Sequence, residues 1–342
     1  MAIIDKPSDY FNTVLYTGNG SSQAITGVNF EPDFLWIKGR SGARNHSLFD
    51  IVRGNDKRII SNTTGAETTE TSVTSFDTDG FTLDSGTTSN ANGETFVAWN
   101  WLAETSFTND ASGTGIGSID STGSVNDTAG FSIVSYTGTG SAGTIKHGLS
   151  SKPSMIIFKN LSAGRSWMVY HQSLGATKFL YLDATDAVGT NSGFYNDTEP
   201  TSSVFSVGTA NNTNYNGEAI IAYCFADTSM SKMGSYTGNG NADGTFVYTG
   251  FKPAWIMIKQ SDGANGWNIY DNKRNTFNVM DKFLLANSSQ AEASYSVIDF
   301  LSNGIKLRNT ASSFNTSGAS YIFMAFASNP LVTSTGVPAT AR

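Results

Sequence analysis

One pattern returns three times along the chain and constrains its fold more than any other feature. The run Tyr-Thr-Gly-x-Gly starts at Tyr16, Tyr136 and Tyr236, and a proline follows each tyrosine after about sixteen residues. A period of 100 to 120 residues is the length of a domain, whereas solenoid units are shorter. The sequence therefore predicts three tandem copies of one domain-sized module, each with a hydrophobic core of its own.

The spacing of the copies predicts the module boundaries. We assign 1–105 to the first module, 106–228 to a linker followed by the second, and 229–342 to the third with a short C-terminal tail. The first junction is long and rich in Gly, Ser, Thr and Asp, and its middle, Gly117–Val125, could add a short edge hairpin. Because the second junction is short, we expect modules 2 and 3 to dock together more firmly.

Residue types return at fixed distances from the repeated proline. The shared positions are the proline, a lysine six residues later and an aspartate or histidine eighteen residues later: Pro32, Pro153 and Pro253; Lys38, Lys159 and Lys259; Asp50, His171 and Asp271. A hairpin folded about a symmetric loop would place Lys38 opposite Asp50, and the other two copies would follow. We predict that this pair stabilises strand register, in preference to a catalytic role.

An alternation with a period of two dominates each copy, and no helix of three turns is evident. The run after the proline is apolar at successive positions in copies two and three, which is typical of a central strand covered on both faces. Asp79-Gly80 and Asn303-Gly304 predict tight hairpin turns. With seven or eight short strands per copy, the sequence predicts an all-β fold of three tandem β-sandwich modules, jelly-roll-like in type.

Composition limits the partners of the chain. Aromatic residues make up 12% of 342 residues and charged residues only 14%, which indicates a folded chain with a weakly charged surface. The formal net charge is −7 and no basic stripe occurs, so we expect no nucleic-acid partner. No run approaches 18 apolar residues and no secretory signal is recognisable, so we expect no membrane insertion and folding in a reducing cytoplasm. The single cysteine, Cys224, is expected to be a buried thiol.

Patterns that carry catalysis or bind metals are weak in this chain. Its three histidines have no metal-ligand spacing. Asp77-Thr-Asp79-Gly80 resembles the start of a calcium loop but lacks the later acidic ligand, which favours a hairpin turn. Glu67 and Glu292 recur in two copies and could belong to a carboxylate pair for sugar hydrolysis, although a local capping role is the simpler interpretation. We predict no enzymatic activity, no cofactor and no metal site.

Aromatic side chains beside polar loops are candidates for stacking on sugar rings. Trp167 and Trp267 occupy equivalent positions after the hairpin loop, where copy one has His46. Trp101 and Tyr215 are further candidates. Core packing is the alternative for each of these five residues, because large aromatics are usually buried.

Several motifs of the chain resemble an uncharacterised tandem-repeat family of virion proteins from marine tailed bacteriophages, described as tail-fibre-like or lectin-like. The motifs that carry the resemblance extend over nearly the whole chain: Ile4-Asp-Lys-Pro-Ser-Asp-Tyr-Phe11, Gly130-Phe-Ser-Ile-Val-Ser-Tyr-Thr-Gly-Thr-Gly140, Tyr170-His-Gln-Ser-Leu174, Ala222-Tyr-Cys-Phe-Ala-Asp227, Met324-Ala-Phe-Ala-Ser-Asn-Pro330 and Gly336-Val-Pro-Ala-Thr-Ala-Arg342. The resemblance implies a protein of the virion surface that is assembled in the host cytoplasm. It supplies no catalytic residues.

Two functions fit these observations. The first is a non-enzymatic tail-fibre or adhesin-like protein that contacts host surface polysaccharide. The second is a capsid decoration or head-fibre protein bound to the major capsid shell. In both cases we expect other virion proteins as partners and a homo-oligomer, with a trimer as the expected state.

Overall fold

The computed structural model describes residues 3–339, and residues 1–2 and 340–342 at the two ends of the chain lie outside it. The described chain is built almost entirely of antiparallel strands, with five one-turn α-helices and one 3-10 turn. The predicted all-β, sandwich-type fold is confirmed. Each copy of the repeat forms one module, and the three modules are called modules 1, 2 and 3 in chain order.

Module 1 pairs a six-stranded sheet, β1-β9-β3-β4-β5-β6, with a three-stranded sheet, β2-β8-β7. Its strands are β1 (Phe11–Thr17), β2 (Gln23–Thr26), β3 (Phe34–Gly39), β4 (Ser47–Asp50), β5 (Gly54–Ile59), β6 (Thr68–Thr69), β7 (Val73–Asp77), β8 (Gly80–Leu83) and β9 (Thr95–Trp101). The one-turn helix α1 (Thr87–Asn90) precedes β9.

Module 2 has the same design with a longer large sheet, β10-β11-β12-β19-β14-β15-β16-β17, and a two-stranded sheet, β13-β18. Its elements are β10 (Thr105–Asn109), α2 (Ala111–Thr114), β11 (Ser121–Asn126), β12 (Phe131–Thr137), β13 (Gly143–Lys146), β14 (Met155–Asn160), β15 (Met168–His171), β16 (Lys178–Tyr181), β17 (Gly189–Thr190), α3 (Ser192–Tyr195), β18 (Val204–Val207), α4 (Asn211–Asn214) and β19 (Ala219–Phe225). The segment predicted as a linker is therefore part of the sheet, because β10 and β11 form a hairpin that pairs with β12.

Module 3 joins its large and small sheets into one curved sheet, β20-β27-β22-β23-β24-β25-β26-β21. Its elements are β20 (Ser231–Thr237), β21 (Phe246–Tyr248), β22 (Phe251–Gln260), β23 (Asn268–Asp271), β24 (Met280–Leu285), β25 (Ala293–Leu301), β26 (Gly304–Leu307), α5 (Ser312–Asn315) and β27 (Ser320–Pro330). The strands β1, β12 and β20 are equivalent, because each pairs with the long strand that ends its module.

The strand after each repeated proline is buried on both faces, as its apolar pattern predicted. In β3, Leu35 and Ile37 face the small sheet of module 1 and form its own core with residues such as Phe81. Phe34 and Trp36 point the opposite way, into a second core that all three modules share. A strand with two buried faces therefore reflects a sheet packed between the small sheet of its module and the other modules.

The shared core joins every pair of modules through aromatic contacts. The ring centroids of Phe34 and Tyr223 lie 4.4 Å apart between modules 1 and 2, and those of Trp99 and Trp255 lie 6.2 Å apart between modules 1 and 3. Phe225 and Phe326 join modules 2 and 3, with their ring centroids 6.1 Å apart. Modules 1 and 2 also have cores of their own, as predicted, whereas the core of module 3 is continuous with the shared one. The three sheets thus form one packed body.

The predicted pairing of Lys38 with Asp50 is wrong. The β3–β4 ladder pairs Phe34 with Asp50 and ends at Ile37 and Ser47, so Lys38 already lies beyond the hairpin ladder. The same offset occurs in modules 2 and 3, where Met155 faces His171 and Trp255 faces Asp271. The hairpin is centred on Gly42 rather than on Arg44, so the lysine and the acidic residue lie at opposite ends of the hairpin.

Candidate functional site

The positions of His46, Trp167 and Trp267 hold the three modules in a closed ring. Each of these side chains is buried and donates a hydrogen bond to a backbone carbonyl of a neighbouring module. The three bonds are His46 Nε2 to Leu285 O at 2.9 Å, Trp167 Nε1 to Ile60 O at 2.9 Å and Trp267 Nε1 to Tyr181 O at 2.8 Å. Module 1 thus binds module 3, module 2 binds module 1 and module 3 binds module 2. Each module uses the same contact once as donor and once as acceptor.

Backbone hydrogen bonds join the same three pairs of modules, with the donor and acceptor modules exchanged. Glu67 N donates to Leu161 O at 2.9 Å, Val188 N to Ser261 O at 2.7 Å and Glu292 N to Arg40 O at 2.8 Å. Because ring closure satisfies each copy of this contact within one chain, the predicted homo-oligomer would have to use outer surfaces. Firm docking is not confined to modules 2 and 3, since all three interfaces have equivalent bonds.

The repeated lysines are interior crosslinks between backbone carbonyls. Lys38 Nζ donates to Gly39 O at 2.9 Å and, in module 3, to Ser289 O at 3.2 Å and Gln290 O at 2.9 Å. Lys159 Nζ likewise reaches Thr64 O of module 1 at 3.0 Å. Burial lowers the pKa of Lys38, Lys159 and Lys259 to about 8. Carbonyl acceptors on all sides give these ammonium groups a structural role.

Two of the three positions equivalent to Asp50 carry a buried ion cluster. Asp271 and Arg274 are fully buried, with Arg274 Nε 2.5 Å from Asp271 Oδ2, and Arg274 Nη1 lies 3.3 Å from Glu292 Oε2. Trp99 Nε1 of module 1 donates to Asp271 Oδ2 at 3.1 Å. In module 1 the same arrangement consists of Asp50, Arg53 and Glu67, and Tyr223 Oη of module 2 donates to Asp50 at 2.6 Å.

Module 2 replaces this ion cluster with His171, Leu174 and Val188. By strand register the residue of module 3 that corresponds to Trp99 and Tyr223 is Met324, whose side chain has no hydrogen-bond donor. His171 instead bonds the backbone, with Nε2 3.2 Å from Phe323 O and Nδ1 accepting from Ser173 N at 3.1 Å. The acid occurs where the residue at this register position of the neighbouring module is Tyr or Trp and is absent where it is Met. Glu67 and Glu292 therefore belong to structural ion clusters rather than to a carboxylate pair.

Four of the five predicted glycan-binding residues lie inside the protein. Trp167, Trp267, His46 and Trp101 are all buried, so they cannot stack on a sugar in this structure. Polar loops beside them belong to module interfaces rather than to the outer surface. Tyr215 is 41% exposed, and the guanidinium of Arg165 lies 4.6 Å from its ring centroid and covers one face.

A repeated asparagine, absent from the sequence predictions, fixes the Tyr-Thr-Gly-x-Gly turn. Asn90, Asn214 and Asn315 are fully buried. The Oδ1 atom of Asn90 accepts from Asn19 N at 3.0 Å, and its Nδ2 atom donates to Ser21 O at 2.7 Å. A Cβ on Gly18 would lie 2.3 Å from the carbonyl oxygen of Ala91, which explains why the turn needs glycine there. The spacing Asn-x-x-Gly at 90–93, 214–217 and 315–318 is the signal that identifies these residues.

Exposed aromatic residues concentrate on module 3. Of the five exposed aromatic side chains among residues 3–339, four lie there: Phe246, Tyr248, Phe277 and Tyr295. Phe246 and Tyr248 flank the buried Val247 on the outer face of β21. Val247 corresponds to Ile25 and Ile145 by strand register. At the flanking positions module 1 has Ala24 and Thr26, and module 2 has Thr144 and Lys146.

The two exposed rings border a cleft of about 430 Å³ between β20 and β21. Gln172 and Ser173 of module 2 close one side, and Lys232 and Ser235 contribute polar atoms from β20. A Cβ on Gly304 would lie 3.1 Å from the Phe246 ring, so this ring rests against a glycine of the paired strand β26. We call this region the module 3 cleft. It combines an aromatic wall with hydroxyl, amide and ammonium groups.

The corresponding position in module 2 is filled by the chain itself. There β11 pairs with β12 along six residue pairs, and Ser118 N and Ile119 N both donate to Thr144 O of β13, at 2.8 and 3.1 Å. Module 3 has no such insertion, so its cleft is open. An alignment of 244–248 with 22–26 and 142–146 would have revealed the two aromatic residues, because the other copies have small or polar residues there.

The described residues contain neither a metal-binding group of side chains nor a membrane-spanning helix. Residues 3–339 contain no group of three or more His, Cys, Asp or Glu side chains arranged to hold a metal ion. None of the helices within that range is both long and apolar enough to cross a membrane.

A family model described as a domain of unknown function, DUF7483, matches residues 6–330. The chain belongs to this family. A single DUF7483 match covers all three modules, which agrees with one shared core. No curated protein has a matching sequence.

Proposed function

We propose that this DUF7483 chain is a non-enzymatic structural protein of a tailed-phage virion, tail-fibre or adhesin-like, that contacts host surface glycan through the module 3 cleft. The observation that carries the proposal is the exposed pair Phe246 and Tyr248, 44% and 59% exposed, at positions where both other modules have small or polar residues. Exposure of two aromatic rings costs hydration free energy in the unbound protein, and a ligand that covers them recovers it.

The chemistry of the cleft favours a sugar. The apolar face of a pyranose can stack on an aromatic ring while its hydroxyl groups bond to polar neighbours. Ser173, Ser235 and Gln172 offer such partners around the rings. Because the Phe246 ring already rests against Gly304, it loses little side-chain entropy when a ligand binds. A small entropy cost favours binding of a ligand that makes weak contacts at each of its repeated units.

A glycan array of bacterial capsular and lipopolysaccharide oligosaccharides tests this proposal. We expect binding by the full chain, reduced at least tenfold in Tyr248→Ala and in Phe246→Ala because the stacking surface is lost. Tyr295→Ala removes an exposed aromatic of the same module outside the cleft and should leave binding unchanged. Equal binding by all three variants would refute the assignment of the cleft.

A second candidate function, capsid decoration, is favoured by the loop between β23 and β24. Phe277 at its tip is 83% exposed. Asn278 holds the loop by reciprocal bonds to Phe300, with Nδ2 3.0 Å from Phe300 O and Oδ1 2.8 Å from Phe300 N. A fixed, protruding phenylalanine is typical of an anchor that enters a pocket on a protein partner.

The two functions predict different effects of Phe277→Ala. If the loop anchors the chain to the capsid shell, purified particles should carry hundreds of copies and the variant should be incorporated at least tenfold less. If the chain is a tail component, particles should carry three, six or twelve copies, and glycan binding should be independent of Phe277. Quantitative mass spectrometry of purified particles gives the copy number.

A further inference from the structure

The module 3 cleft continues into a second cleft on the other side of Ser235 and Tyr236. This second cleft also measures about 430 Å³ and lies between modules 2 and 3. The two share Ser173, Ser235 and Tyr236 as lining residues, so together they form one channel along strand β20. A strand of seven residues is roughly 23 Å long, which is the length of several sugar units in a linear chain.

The second cleft contains a lysine that differs from its two equivalents. Lys57, Lys178 and Lys282 occupy the same register position, opposite Thr69, Thr190 and Ser294. Lys57 Nζ donates to Thr69 Oγ1 at 3.1 Å and Lys282 Nζ to Ser294 Oγ at 2.6 Å. Lys178 lines the cleft, is exposed, and makes no hydrogen bond or ion pair through Nζ among the described residues. It is the cation that remains available to a ligand.

The other charged groups along the channel already have partners. Lys232 Nζ lies 2.5 Å from Asp227 Oδ2. Asp262 accepts from Gln260 Nε2 at 2.9 Å and from Ser320 N at 2.8 Å, one bond at each carboxylate oxygen. Both donors are neutral, so Asp262 keeps its charge and an anionic group of a ligand has to lie on the Lys178 side of the cleft. The free positive charge of Lys178 favours a negatively charged group at that position.

We propose that the channel takes a linear acidic polysaccharide, with one sugar stacked on Tyr248 and Phe246 and a carboxylate or sulfate of a later unit bound by Lys178. This inference rests on the proposed glycan-binding function and adds two requirements to it, a chain of several units and a negative charge. The net charge of −7 makes the contact with Lys178 a local one, since the protein as a whole repels anions.

An extended peptide is the other linear polymer that could lie along β20, and the strand is poorly prepared for it. A peptide strand would need the outward backbone groups of β20. Those of Met233 are already bonded, its N–H to Asp227 Oδ1 at 2.9 Å and its carbonyl to Gln172 Nε2 at 2.7 Å. Thr245 Oγ1 donates to Thr237 O at 2.9 Å. By strand alternation the N–H and carbonyl of Ser235 and the N–H of Thr237 remain, which is sufficient for sugar hydroxyls but not for a strand.

Isothermal titration of the full chain with oligogalacturonates of one, two, four and six units tests the inference, with maltooligosaccharides of equal length as the neutral series. We expect affinity for the acidic series to rise about tenfold from two to six units. Lys178→Gln should reduce affinity for the acidic hexamer about five- to tenfold and leave the neutral series unchanged. Lys57→Gln is the matched control, because it removes the equivalent lysine on module 1, and it should change neither series.

The outcomes separate this inference from the proposed function. If neither series binds at any length, and the glycan array is also blank, the glycan-binding function itself is wrong. If sugars bind but affinity is independent of length, of charge or of Lys178, the function stands and the linear acidic ligand is wrong. Hexaglutamate that binds as tightly as the acidic hexamer, with the same dependence on Lys178, would show that the channel accepts peptides and would overturn the glycan class.

Discussion

Asp271→Ala is expected to lower the free energy of unfolding by about 3–5 kcal/mol, because it leaves the buried guanidinium of Arg274 without its principal partner. The substitution also removes the acceptor of the Trp99 indole, and both groups lie at the interface of modules 1 and 3. Urea denaturation monitored by circular dichroism gives the change. Asp9→Ala is the matched control, because its ion pair with Lys6 has the same 2.5 Å distance and i,i+3 spacing but is exposed. We expect the control to change stability by less than about 1 kcal/mol.

Module 2 supplies the residues for a rescue experiment. The triple variant Asp271→His, Arg274→Leu and Glu292→Val reproduces in module 3 the neutral set His171, Leu174 and Val188. Because it removes the fully buried charge of Arg274 along with its partners, it should be more stable than Asp271→Ala alone, although Arg40, which is 20% exposed, loses its ion pair with Glu292. A triple variant no more stable than the single one would show that the loss comes from packing rather than from the isolated arginine.

Acidification from pH 6.5 to 4.5 is expected to destabilise the ring by several kcal/mol. His46 is held as the neutral Nε2–H tautomer, since its Nδ1 accepts from Trp36 Nε1 at 2.7 Å and its Nε2 faces Leu285 O. Burial lowers the pKa of His46 to about 3 and the pKa of His147 and His171 to about 4, below the ordinary value of 6.5. The unfolded chain therefore takes up protons first, and stability present above pH 6.5 is lost as the pH falls towards these values, by about 1.4 kcal/mol per pH unit for each histidine.

Glutamine substitutions test the assignment to the two interface histidines, His46 and His171. In His46→Gln and His171→Gln the amide can accept and donate as the neutral imidazole does, but it does not titrate. The double variant should reduce the dependence of the urea midpoint on pH between 6.5 and 4.5 by about two thirds, because His147 still titrates. Burial raises the pKa of Asp33 and Asp183, so these carboxyls oppose the trend at the acid end. An unchanged slope in the double variant would assign acid sensitivity to other groups.

The sequence alone predicts the repeat, the all-β class and the doubly buried central strand, because each depends on local pattern. It fails where the three copies meet. Trp167 and Trp267 follow polar loops and so resemble surface residues, yet those loops lie against the next module and the indoles are buried. Equivalent positions in three copies were evidence of a common contact, but only the assembled ring shows that the contact is with another module.

The hairpin register was wrong for a related reason. The polar run suggests a loop centred on Arg44, whereas the ladder is centred on Gly42 and ends one residue before Lys38, whose ammonium reaches carbonyls of module 3. The aromatic cleft was missed because Phe246 and Tyr248 stand out only when the short strands β2, β13 and β21 are aligned. Those strands have few residues in common, and their pairing partners define the alignment.

Differential scanning calorimetry of the full chain most directly tests whether three β modules are joined by one core into a single folding unit. A closed ring with one shared core predicts one transition, with a calorimetric enthalpy equal to the van't Hoff enthalpy for all three modules together. Two or three resolved transitions, or a van't Hoff enthalpy well below the calorimetric value, would contradict the closed single-chain ring.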